Sequence, residues 1–188
     1  MGPFSIENAF IVEAINAMPK WHSSELRVER ISKSNINDAL WFNNEETLKE
    51  FERFIEIGHI GYYCYLNEVC IFRTWIFTDS NQCFVGQNFI YKLKPLEYFS
   101  AWSETASDYR GKGAFSFTLN HILNELNENH ISAFIDSKNI GSIKGTKKVG
   151  FVITQKYFLF RLYRLRIQVR YYHHSKNKFN LSLRSVIH

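Results

Sequence analysis

The spacing of apolar positions changes along the chain from helical to strand intervals. Residues 6–18 carry apolar side chains at helical spacing, as at Phe10 and Ala14, and predict an amphipathic helix that ends at Pro19. Residues 26–31 alternate apolar with charged side chains and predict a strand. The chain is therefore expected to begin with a helical segment that leads into the first strand.

A helix and a hairpin are predicted next. Asn44 can cap a helix whose apolar face continues until Gly58. Residues 60–66 and 68–77 are rich in aromatic and β-branched side chains, and the short polar break between them is typical of a β-hairpin.

The second half of the chain alternates strands with helices. The expected elements are a strand over residues 96–105, a helix over 115–126, a strand over 131–135, a helix over 139–148 and two paired strands within 151–169. This order predicts a mixed α/β, or α+β, domain around one central sheet.

Composition and length suit one globular domain. The chain has 188 residues, of which 45% are hydrophobic, as is usual for a protein with a buried core. We expect one domain over residues 1–188, with the N-terminal helical segment at about residues 1–22 and a basic C-terminal tail at about residues 171–188.

Cellular location is predicted from what the sequence lacks. No apolar run is long enough to span a bilayer, and the N-terminus does not have the pattern of a signal peptide. Cys64, Cys70 and Cys83 are odd in number and lack metal-ligand spacing. A cytoplasmic protein with reduced, buried thiols and no metal is therefore expected.

Basic residues concentrate towards the C-terminus. Residues 156–188 contain eight Lys or Arg and no Asp or Glu, whereas all 18 acidic residues precede them. Such asymmetry suits an anionic partner such as nucleic acid, a membrane surface or a phosphorylated ligand, and equally suits a solvated strand face. No nucleic-acid motif accompanies the segment, so nucleic acid is the less favoured partner, and loose contact with an anionic membrane surface stays open.

A polar turn with two glycines lies between a predicted strand and a predicted helix, at residues 108–114. Its glycines allow close approach of an anion, the N–H groups of the helix start are unpaired, and Arg110 and Lys112 add positive charge. The turn has neither the Ser or Thr of a Walker loop nor the spacing of a dinucleotide fingerprint. It is either a phosphate or pyrophosphate site or a plain loop.

A second motif follows this turn at a fixed distance. The turn reads Arg-x-x-Gly-x-aromatic from Arg110 to Phe115, and about 25 residues later come Asn139, Ser142 and the Lys-x-Gly-Phe of residues 148–151. In this order and spacing the two motifs resemble those of the GNAT N-acetyltransferase superfamily.

The resemblance, which is strongest over residues 96–152, implies a central mixed, mostly antiparallel sheet flanked by helices and an acyl-CoA-dependent N-acyltransferase that uses acetyl-CoA. The pyrophosphate of coenzyme A would bind the backbone amides of Arg110, Gly111, Lys112, Gly113, Ala114 and Phe115. Thr105 and Glu104, at the end of the preceding strand, would pair with the pantetheine arm and polarise the thioester carbonyl. Asn139 would contact the pantetheine, with Ser142 nearby.

The catalytic assignments follow the same resemblance. Glu104 is favoured over Glu97 as the acceptor of the amine proton, because it lies nearer the expected thioester. The family often has a tyrosine as general acid where this chain has Thr146, which is a poor acid, so either the thiolate leaves unaided or another residue such as Tyr157 serves. The turn also departs from the family at Phe115, whose bulk can be accommodated if the ring points into the core.

The resemblance implies direct attack of an amine on the thioester, without a covalent enzyme intermediate. The expected acceptor is a small-molecule amine, with an amino sugar favoured and a protein amine next. Two other functions stay open: a CoA-binding module without turnover, which Thr146 favours, and a nucleic-acid-binding protein that uses the basic C-terminal segment. A homodimer is also left open.

Overall fold

The computed structural model describes residues 4–14, 18–79, 83–85, 89–126, 130–162, 165–172 and 179–185. In chain order its elements are β1 (Phe4–Ala14), β2 (Leu26–Arg30), a 3-10 helix (Ile36–Phe42), α1 (Glu45–Glu56), β3 (Ile60–Leu66), β4 (Val69–Phe77), β5 (Phe84–Val85), β6 (Phe89–Ile90), β7 (Tyr98–Thr105), a 3-10 turn (Ser107–Tyr109), α2 (Ala114–Leu126), β8 (Ile131–Asp136), α3 (Ile140–Lys148), β9 (Phe151–Leu162), β10 (Leu165–Tyr172) and β11 (Phe179–Ser185). Among the residues that the structure describes, no helix is long and apolar enough to cross a membrane.

One mixed sheet organises the described part of the chain. Nine strands lie in the order β11-β10-β9-β1-β8-β7-β4-β3-β2, while β5 and β6 form a separate short pair. Neighbouring strands are antiparallel except β7 and β8, which are parallel. The prediction of a central mixed, mostly antiparallel sheet flanked by helices is confirmed.

The predicted N-terminal helix over residues 6–18 is wrong. Residues 4–14 form β1, which lies between β8 and β9 and pairs with both. Ala9, Ile11 and Val12 are almost completely buried, so both faces of the strand are covered. Such a strand shows a continuous apolar run instead of strict alternation, and that run also fits one face of a helix. Residues 15–17 lie outside the described part of the chain.

The helices pack on both faces of the sheet. The Asn44 side chain accepts from the Thr47 N–H at 2.8 Å and caps α1, as predicted. From α1, Phe51 and Phe54 pack against Trp75 on one face. On the other face α2 buries an apolar stripe against the sheet: Leu119, Ile122 and Leu123 pack with β1, β3, β4 and β8. Burying each such side chain stabilises the fold by about 1.5–3 kcal/mol.

Both predicted hairpins are present. β3 and β4 are joined at Asn67 and Glu68, whose φ angles of 47° and 70° are those of a tight turn whose twist matches the paired strands. β9 and β10 pair from Leu162 and Leu165 outwards. Within the predicted basic C-terminal tail, residues 171–172 belong to β10, and residues 179–185 form β11, which pairs with β10. Residues 173–178 and 186–188 lie outside the described part of the chain.

The central strands β7 and β8 pair over a short distance and then separate. Their register pairs are Tyr98 with Ile131, Phe99 with Ser132 and Ser100 with Ala133. Each strand continues beyond these pairs, β7 to Thr105 and β8 to Asp136. A gap therefore opens in the middle of the sheet at the carboxyl ends of two parallel strands, where α/β proteins commonly bind ligands.

Candidate functional site

A cleft of about 770 Å³ lies at this gap, between the end of β7, the start of α2 and α3. Its size is that of a site for a small molecule or cofactor. It brings together nine of the residues predicted from the sequence: Glu104, Thr105, Arg110, Gly111, Gly113, Ala114, Phe115, Asn139 and Ser142. Lys112 and Thr146 are not among its lining residues.

The two-glycine turn is shaped for an anion. Gly111 and Gly113 have φ angles of 82° and 84°, which glycine adopts without strain. The Phe117 N–H donates to the Gly113 carbonyl at 2.9 Å and makes the first turn of α2. The N–H groups of residues 114–116 consequently have no partner inside the helix, and the positive end of the helix dipole lies at the cleft.

Phe115 is accommodated because α3 offers it a glycine. Its ring packs edge-on against Phe72 with a centroid distance of 5.8 Å. A Cβ added at Gly145 would lie 2.6 Å from the same ring. The absence of a side chain at Gly145 therefore allows α2 and α3 to meet beside the cleft, and Phe115 has the structural role expected of it.

Asn139 and Ser142 build the opposite wall. The Asn139 side-chain oxygen accepts from the Ser142 N–H at 3.1 Å and caps α3. Both residues line the cleft. Asn139 thus fixes where α3 begins, and its side-chain NH₂ group can donate to a ligand.

Two lysines of the cleft were not predicted as site residues, although one of them, Lys148, begins the Lys-x-Gly-Phe motif. Lys144 and Lys148 stand one helical turn apart on α3 and both line the cleft. Like charges at this spacing destabilise a helix by roughly 0.2–0.5 kcal/mol, a cost that a bound anion would offset. The signal was present in the sequence, since both lysines lie within the predicted helix, four residues apart.

The buried arginine behind Glu104 was also missed. Arg73 is 7% exposed, and its guanidinium donates to Glu104 Oε2 at 2.5 Å, to the Trp102 carbonyl at 2.5 Å and to Asn43 Oδ1 at 2.8 Å. Burial lowers the pKa of Arg73, and the charge of Glu104 opposes that shift. Glu104 lines the cleft, and its carboxylate forms an ion pair with this arginine.

The other acid and base candidates lie away from the cleft. Thr146 is fully buried and its hydroxyl donates to the carbonyls of Ser142 and Ile143, so the structure does not support the predicted catalytic role. Tyr157 is buried in the core, with its hydroxyl donating to Gln155. Glu97 is buried too, and accepts hydrogen bonds from the hydroxyls of Tyr91 and Ser132.

The cysteines match their prediction. Cys64, Cys70 and Cys83 are free and buried. Burial raises the pKa of Cys64 to about 11 and those of Cys70 and Cys83 to about 12. They are therefore unreactive thiols of the core and take no part in the cleft.

Solved structures with the same fold exist. No protein-family model matches the sequence, and no curated protein matches it. An acetyltransferase of the GNAT family from Colwellia psychrerythraea is 11% identical with a TM-score of 0.59, over 85% of this chain and 57% of that chain. A GCN5-related N-acetyltransferase-like protein from Streptococcus suis 89/1591 is 11% identical with a TM-score of 0.57, over 85% and 62%. A functionally unknown conserved protein from Staphylococcus epidermidis ATCC 12228 is 14% identical with a TM-score of 0.58, over 85% and 63%.

These comparisons define the fold of the chain, which is that of the GNAT N-acetyltransferases. The predicted resemblance is confirmed at this level. The chain covers less than two thirds of the length of each of the three proteins.

Proposed function

We propose that this protein is an acyl-CoA-dependent N-acyltransferase that uses acetyl-CoA and a small-molecule amine. The observation that carries the proposal is the cleft where β7 and β8 separate, with the two-glycine turn at its edge. An elongated ligand with a pyrophosphate at one end and amide groups along its length suits this site. The turn would bind the pyrophosphate, and the unpaired edge of β7 would bind the amide groups.

The pyrophosphate would lie on the N-terminal amides of α2. Gly111 and Gly113 leave room for it, since a Cβ at either position would have nothing within 4 Å in the described protein. Arg110, Lys144 and Lys148 supply positive charge around the same cleft. The amides of the pantetheine arm would follow the end of β7, where the strand has no partner on the side of β8.

The reaction would join the amine nitrogen to the acyl carbon and break the carbon–sulfur bond. Backbone N–H groups at the end of β7 would stabilise the negative charge on the carbonyl oxygen. The amine proton would pass to Glu104, whose Oε2 is held by Arg73 and whose Oε1 is left to accept it. The departing thiolate is a good leaving group, because thiols have pKa values of about 8.5, and so it would need no acid.

Calorimetry with acetyl-CoA and with CoA tests the proposed cofactor, and release of CoA thiol in the presence of amines tests the reaction. The amine panel should include glucosamine, which represents the favoured class of amino sugars. It should also include a lysine peptide, which represents protein amines, the next class. Acetyl-CoA binding with amine-dependent thiol release is the expected result. Absence of acetyl-CoA binding would refute the proposal.

The second candidate function is a CoA-binding module without turnover. It is favoured by the cleft's lining, which contains no Tyr, His or Cys except Tyr109 among the described residues. Acetyl-CoA binding without thiol release, across the whole amine panel, would favour this function.

A further inference from the structure

β7 contains a bulge beside the cleft. Its register with β4 runs from Glu104 opposite Arg73 to Ala101 opposite Trp75, so Trp102 and Ser103 together stand opposite one residue of β4. Trp102 has a φ angle of 54°, which is unusual for a bulky side chain. Unfavourable backbone conformations of this kind persist where the surrounding structure fixes them, and they concentrate at functional sites.

Side chains of β4 hold the bulge in place. Arg73 donates to the Trp102 carbonyl at 2.5 Å. The Thr74 hydroxyl lies 2.7 Å from the Ser103 hydroxyl and 3.3 Å from the Ala101 carbonyl. Two side chains of β4 thus contact the three consecutive residues 101–103.

Arg73 is itself held in one orientation. Asn43 accepts from its Nε at 2.8 Å, and its guanidinium lies 5.0 Å from the ring centre of Phe51 and 5.9 Å from that of Trp102. A guanidinium presents several donors in one rigid plane, so it can bind Asn43, Trp102 and Glu104 together. A lysine ammonium, which is a compact point charge, could not reproduce this arrangement.

The orientation of the Trp102 carbonyl determines that of the next N–H group. None of the described peptide bonds is cis, and in a trans peptide unit the carbonyl and the N–H point in opposite directions. Because Arg73 draws the Trp102 carbonyl towards α1, the Ser103 N–H points away from it, and Ser103 lines the cleft.

We propose that Arg73 is a positioning residue that fixes the peptide unit between Trp102 and Ser103, so that the Ser103 N–H donates to the carbonyl oxygen of the acyl group. This inference rests on the proposed function. Neutralisation of Glu104 alone would not require Arg73 to bind Asn43 and the Trp102 carbonyl, and the proposed role accounts for both contacts.

The test observes the acyl carbonyl of acetyl-CoA by NMR, and this measurement needs no amine substrate. Acetyl-CoA labelled with ¹³C at the carbonyl is bound to the wild type and to Arg73→Met, Arg73→Lys and Arg53→Met, and its ¹³C chemical shift is compared with that of free acetyl-CoA. Arg53 is the matched control, because its guanidinium lies over Phe54 of the same helix and pairs with Glu50. Thermal unfolding shows which variants are folded.

The wild type and Arg53→Met should shift the carbonyl resonance downfield, as a hydrogen-bonded carbonyl does. In Arg73→Met the shift should vanish while acetyl-CoA still binds. In a separate thiol-release assay with an amine, kcat should fall by about 10²-fold, as when one oxyanion donor is lost. If Arg73→Met does not fold, Arg73→Lys carries the test and should lose most of the shift.

Two outcomes have different meanings. Failure of the wild type to bind acetyl-CoA refutes the proposed function, and this inference with it. An unchanged carbonyl shift in a folded Arg73 variant that binds acetyl-CoA refutes this inference alone.

Discussion

The carboxylate of Glu104 lies 2.5 Å from the guanidinium of Arg73, which is buried behind the cleft. One carboxylate oxygen is thereby used within the protein, and the orientation of the other is set by the same contact. The residue that sequence reasoning selected as proton acceptor is therefore held in place by a residue that it did not select.

Glu104→Gln should lower kcat by about 10²-fold, the lower end of the effect of a general base, because the amide cannot accept the amine proton. The dissociation constant for CoA should not change. Steady-state kinetics and calorimetry measure the two effects. Glu68→Gln, on the exposed hairpin, is the control, and full activity in Glu104→Gln would remove Glu104 as the base.

Gly113→Val should abolish CoA binding, because a branched side chain at a φ of 84° would distort the turn and occupy the anion seat. Gly58→Val is the matched control, since Gly58 has a φ of 85°, also has open space around its Cβ position and follows α1. Both variants should lose stability, and only Gly113→Val should lose CoA binding in calorimetry. Equal CoA affinity in the two variants would contradict the placement of the pyrophosphate.

Thr146→Val should cost about 1 kcal/mol of unfolding free energy, because it removes a buried hydroxyl that donates within α3. Turnover per folded molecule should be preserved, because Thr146 does not line the cleft. Chemical denaturation and thiol-release kinetics test the two statements. A fall in kcat without a fall in stability would restore Thr146 to the mechanism.

His59 should make the protein less stable in mild acid. It is 5% exposed, and burial lowers the pKa of its imidazole below the ordinary value of 6.5. The unfolded chain therefore binds a proton at this residue more readily, so stability is complete above pH 6.5 and falls as the pH drops through the lowered pKa.

His59→Phe should flatten this dependence, which denaturant titrations between pH 7.5 and pH 5 would show. The Phe side chain suits a site that already packs against Phe54 and Phe77. His22→Gln, at an exposed position, should keep the wild-type slope. An identical slope in His59→Phe would contradict the assignment.

Local sequence patterns predicted the structure correctly where one pattern has one structural solution. The Asn44 cap, the hairpin at Asn67 and the two-glycine turn depend on neighbouring residues, and all three are present. β1 was mistaken for a helix because its burial on both faces comes from β8 and β9, which are remote in sequence. Arg73 escaped notice for the same reason, since its partners Asn43 and Trp102 are about 30 residues away on either side.

The short pairing of β7 with β8 also divides the sheet into two half-sheets that are joined through three residue pairs. A ligand in the cleft would touch β7 at Thr105 and the start of α3 at Asn139, and would so bridge both halves. Binding at 100 times the dissociation constant adds about 2.7 kcal/mol to stability by mass action alone. The ligand that the chain is proposed to consume would thus also stabilise its sheet while it is bound. Each turnover would remove that stabilisation when the product leaves and restore it when the next ligand binds.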